Sequence, residues 1–263
     1  MTHAPEFHLT VSFARLHAGE LDTWIEQRRA PEILLDAKAL EHFTEQDYTD
    51  VAARLNAAGL PCSFHGPFVD LSPGSSDPGI LEVTRHRLAQ VLTPAAILRP
   101  RSVVCHVGYD PLRHVWRRER WLEIAAETWS WLAARLDELG SRLMLENVLE
   151  HTPEDLAPLF ASLAGQPLGW CLDVGHVAVF GQAPMADWIA RLGPALGQLH
   201  LHDNHGAWDE HLPPGQGDID FAATFAALAS CPPPRTVTLE VPLDQFAVAA
   251  AYVTPRWPWK AEE

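Results

Sequence analysis

Six consecutive apolar runs in this chain of 263 residues end on side chains that ligate metals. His65 closes Ser63-Phe64-His65, His106 closes Val103-Val104-Cys105-His106, and Glu146 closes Leu143-Met144-Leu145-Glu146. Asp173 closes Cys171-Leu172-Asp173, His200 and His202 close Leu199-His200-Leu201-His202, and Glu240 closes Val237-Thr238-Leu239-Glu240. Any one of these alone is ordinarily a satisfied polar group at the edge of a core. Together they ask for another explanation. Carboxylates buried side by side without a cation repel and raise each other's pKa, whereas a divalent ion removes that cost and takes neutral imidazoles as donors. The pattern predicts a divalent metal centre. Past the seventh run, Asp209-x-His211 can set two further ligands side by side, and His176 follows Asp173 by about one helical turn. Gly215 and Gly217 let the same loop turn tightly back.

These residues need elements that bring them to one place. The eight β-type runs are 8–13, 33–37, 61–65, 102–106, 142–146, 169–173, 196–202 and 236–241. Between them lie segments with helical spacing. Asp77-Pro78 begins one, with Ile80, Val83, Leu88, Val91 and Leu92 as its apolar stripe. Another carries Trp121, Ile124, Ala125, Trp129, Leu132, Leu136 and Leu139 and closes at Gly140; a third opens at Thr152-Pro153-Glu154-Asp155, and a fourth runs from Asp220 through Phe221, Phe225 and Leu228. Strict alternation of strand and helix predicts a parallel sheet, and eight units in about 250 residues predict a single (β/α)₈ TIM barrel of the α/β class. Its active site belongs at the C-terminal ends of the strands, where all six ligand types converge. An open doubly wound sheet is the alternative, but no G-x-G-x-x-G follows the first run. The barrel is expected over 1–253, with 254–263 an irregular tail whose Trp257 and Trp259 pack on it.

Composition narrows the function further. Acids outnumber bases 34 to 19, for a formal charge of −15, so general nucleic-acid binding is not expected. No apolar run reaches the 18 or so residues of a membrane span, and the sequence from Met1 to Glu6 lacks the basic and apolar regions of a secretory leader. Cys62, Cys105, Cys171 and Cys231 form no C-x-x-C pair and read as buried small hydrophobes of a reduced, cytoplasmic protein. The only lysines are Lys38 and Lys260, neither placed for Schiff-base chemistry, and no G-x-S-x-G marks a serine nucleophile. Arg15 and Lys38 read as rim residues, Arg117-Arg118-Glu119-Arg120 as a solvated helix start, and Phe68, Trp170 and Trp208 as pocket walls or packing.

Four motifs taken in order carry a resemblance. Leu145-Glu146-Asn147, Asp173-x-x-His176, His200-x-x-Asp203 and Gly215-x-Gly217 resemble those of the xylose-isomerase-like barrels, which unite sugar-phosphate isomerases and epimerases with endonuclease IV. The likeness keeps register over residues 60–242. For one-metal members it implies Glu146, Asp173, His200 and Glu240 as ligands of Mn²⁺, Mg²⁺ or Co²⁺, with Glu146 and Glu240 as the acid–base pair. For endonuclease-IV-like members it implies three Zn²⁺ on nine ligands: His65, His106, Glu146, Asp173, His176, His200, Asp209, His211 and Glu240. The register makes His200 the ligand and His202 its neighbour. One divalent ion against three carboxylates leaves a net negative site, which suits a neutral sugar. Three ions against four carboxylates leave a net positive site, which suits an anionic phosphoester. Asp209, His211 and His176 are superfluous to a one-metal isomerase, so the expectation is a multinuclear zinc hydrolase of a small phosphorylated or sugar-like molecule, with isomerase or epimerase as the alternative.

Overall fold

A computed structural model describes residues 5–259. Eight parallel strands close into a barrel in sequence order: β1 Phe7–Ser12, β2 Ala30–Leu34, β3 Ser63–His65, β4 Ser102–His106, β5 Arg142–Glu146, β6 Leu168–Asp173, β7 Leu196–Leu201 and β8 Thr236–Leu239. β8 pairs with β1 through Phe7↔Val237 and Leu9↔Leu239, which leaves no open edge. Helices follow the strands and pack their apolar faces on the barrel's outside. The architecture is the expected TIM barrel.

Capping explains where the helices start. Asp77 accepts from the Gly79 and Ile80 amides ahead of Pro78–Gln90, and Thr152 and Asp155 form a capping box ahead of Pro153–Ser162. The helix Arg118–Glu138 buries the expected stripe from Trp121 to Leu136. The stripe at Asp77-Pro78 is only half right: Leu88 and Val91 are buried, but Ile80 and Val83 face outward.

One strand lies three residues earlier than its apolar pattern suggests. β2 is Ala30–Leu34 because Asp36 caps the helix Ala37–His42, accepting from the Ala39 amide at 2.7 Å. That shift draws Glu32, a charged residue, into the barrel interior. β3 starts at Ser63, and β7 and β8 stop at Leu201 and Leu239, short of the metal-ligand types beyond them. Backbone pairing carries on: Glu240 N–H donates to Leu201 O at 3.2 Å, and Asp203 bridges antiparallel to Leu212.

The barrel's inside holds a small apolar cluster, Val104, Met144 and Cys171, together with a polar network. His8, Glu32, Ser63, Ser102, Gln198 and Thr238 are all buried and linked by hydrogen bonds. At the C-terminal end, Thr254–Arg256 is one helical turn rather than irregular chain. Trp257 is buried, and Trp259 Nε1 donates to Cys231 O at 2.7 Å, so this segment packs on the barrel. Residues 1–4 and 260–263, which include Met1 and Lys260, lie outside the described residues. Among the described residues no helix is long and apolar enough to cross a membrane.

Candidate metal centre

The candidate site sits at the carboxyl face of the barrel and is organised around Glu146. This buried residue ends β5 and reaches in two directions. Its Oε2 is 3.2 Å from His65 Nε2 and 3.4 Å from His106 Nε2. Its Oε1 is 3.0 Å from His200 Nδ1. Around His200 Nδ1 lie also Glu240 Oε1 at 3.2 Å and Asp173 Oδ2 at 3.8 Å. A third patch surrounds Asp209, whose Oδ2 is 2.9 Å from His211 Nε2 and 3.5 Å from His176 Nε2. All nine residues singled out by the sequence therefore meet in one cluster.

The resemblance puts His202 beside the site, and the geometry gives it a fuller part. Its Nε2 is 3.1 Å from Asp173 Oδ1, its Nδ1 is 3.6 Å from Asp209 Oδ1, and its ring stacks on His211 at 4.2 Å between centroids. Four groups have donor atoms close enough to share an ion: His65, His106 and Glu146; Glu146, Asp173, His200 and Glu240; Asp173, His176 and His202; and His202, His211 and Glu240.

Local structure explains why these motifs hold the side chains there. Asn147 ties β5 to β6: its Nδ2 donates to Asp173 O at 2.9 Å while its Oδ1 accepts from the Asp173 amide and Trp170 Nε1. Its own carbonyl accepts from His176 Nδ1 at 2.9 Å, which leaves Nε2 to face the cluster. His65 and His211 are held the same way, Nδ1 donating to Gly66 O and Glu240 O. Fixing one ring nitrogen sets the tautomer and frees the other as a ligand. Asp173 Oδ1 also accepts the His176 amide at 2.7 Å, so the Asp-x-x-His pair is a helix cap as well as a candidate ligand pair. Asp203 is structural: it accepts from the amides of Asn204, Gly215 and Ile219 and folds the 205–219 loop over the barrel. Gly215 has φ +88°, and a Cβ there would strike the Tyr252 ring.

Electrostatics fit a cation. Burial pulls His106 down to about 3, so it stands as a neutral donor. Burial works against the charge on Glu146, but His200 and His106, with hydrogen bonds from His200 and His65, hold its carboxyl well below the usual range. Burial raises Glu240 in spite of His200, so the two glutamates differ in proton affinity. Buried His202 Nδ1 and Asp209 Oδ1 lack hydrogen-bond partners, a gap that a ligated ion would explain. The donor set, all imidazole and carboxylate, suits zinc or a harder divalent ion.

Sequence reasoning missed Glu32. It lies beneath the cluster, fully buried, with Oε1 3.0 Å from His200 Nε2. Its Oε2 accepts from Gln198 Nε2 at 2.6 Å, Thr238 Oγ1 at 2.8 Å and Ser63 Oγ at 3.0 Å. The signal that could have found it is a carboxylate inside the apolar stretch Ala30-Pro31-Glu32-Ile33-Leu34. Of the other candidates, Trp170 is core and hydrogen-bonded, Trp208 is exposed, and Arg15 pairs with Glu20 away from the cluster. Lys38 is exposed on the first turn of a helix. Phe68 does reach the site, stacking on His106 at 4.3 Å.

A closed eight-stranded barrel with a carboxylate–imidazole cluster at its carboxyl face defines a class of protein. The chain belongs to the xylose isomerase-like TIM barrel family, whose model matches residues 23–258. It is similar over 95 % of its length to the TTHB071 protein from Thermus thermophilus, soaked with ZnCl₂, at 29 % identity with a TM-score of 0.81 and 97 % of that chain covered. A D-tagatose 3-epimerase-like protein, 23 % identical, shares the fold with a TM-score of 0.75 over 94 % of this chain and 95 % of that one. Among curated relatives, protein MJ1311 of Methanocaldococcus jannaschii is 30 % identical over 178 residues, 62 % of this chain. The match spans 58 % of MJ1311 and, at 27 % identity over 59 % of this chain, 51 % of protein y4fM of Sinorhizobium fredii.

Proposed function

We propose that this chain is a metal-dependent enzyme with a multinuclear, zinc-type centre that hydrolyses a phosphoester of a small molecule. The observation that carries the reading is the two-sided Glu146, one oxygen on His65 and His106 and the other on His200. A carboxylate with both oxygens so placed suits two ions rather than one. His65, His106 and Glu146 would hold the first ion; Glu146, Asp173, His200 and Glu240 the second; His176, Asp209 and His211 the third, with His202 beside it. Bound ions of this kind activate water and neutralise charge on a phosphoryl group. The chain's own residues fix the donors: Asn147 O, Gly66 O and Glu240 O orient three imidazoles, and Glu32 orients a fourth. The 205–219 loop brings Asp209 and His211 to the cluster, against His176 and His202. The net charge makes a small substrate more fitting than a nucleic acid. Four free cysteines, three of them buried, accord with a reducing, cytoplasmic setting.

The alternative is a one-metal sugar or sugar-phosphate isomerase or epimerase using Glu146 and Glu240 as acid and base. The compact group Glu146, Asp173, His200 and Glu240 supports it, as does the similarity to an epimerase-like protein. Elemental analysis of purified protein separates the two. About three metals per chain are expected for the hydrolase and about one for the isomerase. A protein that takes up none would overturn both.

A further inference from the structure

Beside the cluster, on the His106 side, lies a cleft of about 520 Å³. Its inner end is His106 and Phe68, and Tyr109 and Trp121 form part of its wall. Its outer wall comes from the segment after β4, which supplies Arg113, Arg117 and Arg120. By sequence, part of this segment reads as a solvated helix start. The helix does start at Arg118 with Arg117, Glu119 and Arg120 exposed, but the charge collected there is unusual for this chain. Acids outnumber bases 34 to 19 in this chain, and seven of the thirteen arginines outside this segment pair with carboxylates, as in Arg15–Glu20, Arg87–Glu41 and Arg191–Glu154. Residues 113–120 hold four arginines and one acid. Among the described residues the Arg113 guanidinium has no hydrogen bond or ion pair, and Arg117 has only a 3.5 Å contact to Ser76 Oγ. Arg120 pairs with Glu123.

Two acids also line the cleft. The Asp110 carboxylate is engaged in capping, accepting from the Leu112 amide at 2.9 Å. Asp70 sits in a left-handed turn at φ +59° and has no basic partner among the described residues. The two unpaired guanidiniums therefore stand over a cleft that opens onto His106, whose side chain at 21 % exposure is the accessible edge of the first ligand group. Planar guanidinium pairs match the geometry of phosphate and carboxylate oxygens.

Resting on the reading of the barrel top as the reaction centre, we propose that Arg113 and Arg117 bind an oxyanion, phosphate or carboxylate, on the part of the substrate remote from the reacting atoms. The substrate is then an anionic molecule that spans from the cluster past Phe68 into this cleft. The site would select charged over neutral sugars without touching the chemistry.

Calorimetric titration of metal-stripped and zinc-loaded protein with D-ribose 5-phosphate, D-ribonate and D-ribose tests this. At least one of the two anions binds the metal-stripped protein, more weakly as salt rises, and D-ribose does not. Phosphate or carboxylate is assigned by which anion binds. The double variant Arg113→Ala/Arg117→Ala loses about tenfold or more in affinity, since each charge-assisted contact is worth roughly a factor of ten. A control variant at the exposed Arg135–Glu138 pair, at the far end of the helix Arg118–Glu138, Arg135→Ala, leaves affinity unchanged. Equal affinity in wild type and double variant, or no anion binding to metal-stripped protein, overturns the proposal. A separate zinc titration keeps the two readings apart. Zinc uptake without arginine-dependent anion binding sinks the cleft alone, while arginine-dependent binding in a protein that takes up no metal sinks the metal centre alone.

Discussion

Glu32→Gln changes one oxygen into an amide nitrogen deep in the barrel, and its effect can be worked through atom by atom. Three donors, Gln198 Nε2, Thr238 Oγ1 and Ser63 Oγ, converge on Oε2. The amide oxygen of the variant keeps those bonds, which forces its NH₂ toward His200 Nε2, now 3.0 Å from Oε1. In the wild type that nitrogen is best protonated, facing a carboxylate. In the variant a donor would meet a donor. Relief requires His200 to carry its proton on Nδ1, the atom that faces Glu146 at 3.0 Å and Glu240 at 3.2 Å. Nδ1 is the nitrogen a metal would take, so the variant disarms a ligand without touching the ligand set. Loss of such an outer partner typically costs roughly 10–100-fold in metal affinity, or about 1.4–2.8 kcal/mol. Competition titration with a chromophoric zinc chelator reads this directly, and far-UV circular dichroism confirms the barrel. Affinity within about twofold of wild type in a folded variant would refute the idea that Glu32 sets the His200 tautomer.

Other expectations follow from the same geometry. Glu146→Gln should lower the metal count and abolish activity while the barrel stays folded; wild-type metal content by elemental analysis would remove Glu146 from a bridging role. Gly175→Ala puts a Cβ into the buried His202 ring, an overpacking worth about 1–3 kcal/mol, seen as a lower denaturant midpoint together with weakened zinc binding. Glu150 is wholly buried, and burial raises its carboxyl from the usual 4.5 to about 8. A raised folded pKa means the stability it contributes is complete below the unfolded pKa and fades as pH rises to the folded one. Glu150→Gln should therefore gain stability over wild type by a few kcal/mol between about pH 5 and pH 9; urea melts showing a gap that does not grow with pH would count against it.

The barrel is readable because its signals are local. Apolar runs, capping residues such as Asp77 and Thr152, and the spacing of Trp121 to Leu136 act within a few residues, and eight alternations leave few ways to close. Six of the nine candidate ligands are readable because a parallel barrel carries every strand's end to one face, while His176, Asp209 and His211 sit on the helix after β6 and the loop after β7. β2 is misplaced by pattern because a buried carboxylate breaks the apolar run that marks a strand, and the compensation for Glu32 comes from Ser63, Gln198 and Thr238, distant in sequence. Ile80 and Val83 read as core because periodicity shows a face but not what covers it.

Sequence alone thus determined the architecture and the candidate donors that stand at its strand ends, both consequences of residue type repeated there. Tertiary structure decided how those donors are shared. It set Glu146 between two candidate ligand groups, drew His202 in against Asp173, placed Glu32 under His200, and set Arg113 and Arg117 on a cleft beside His106. Such pairings depend on directions and distances between residues far apart along the chain, and those exist only once the barrel has closed.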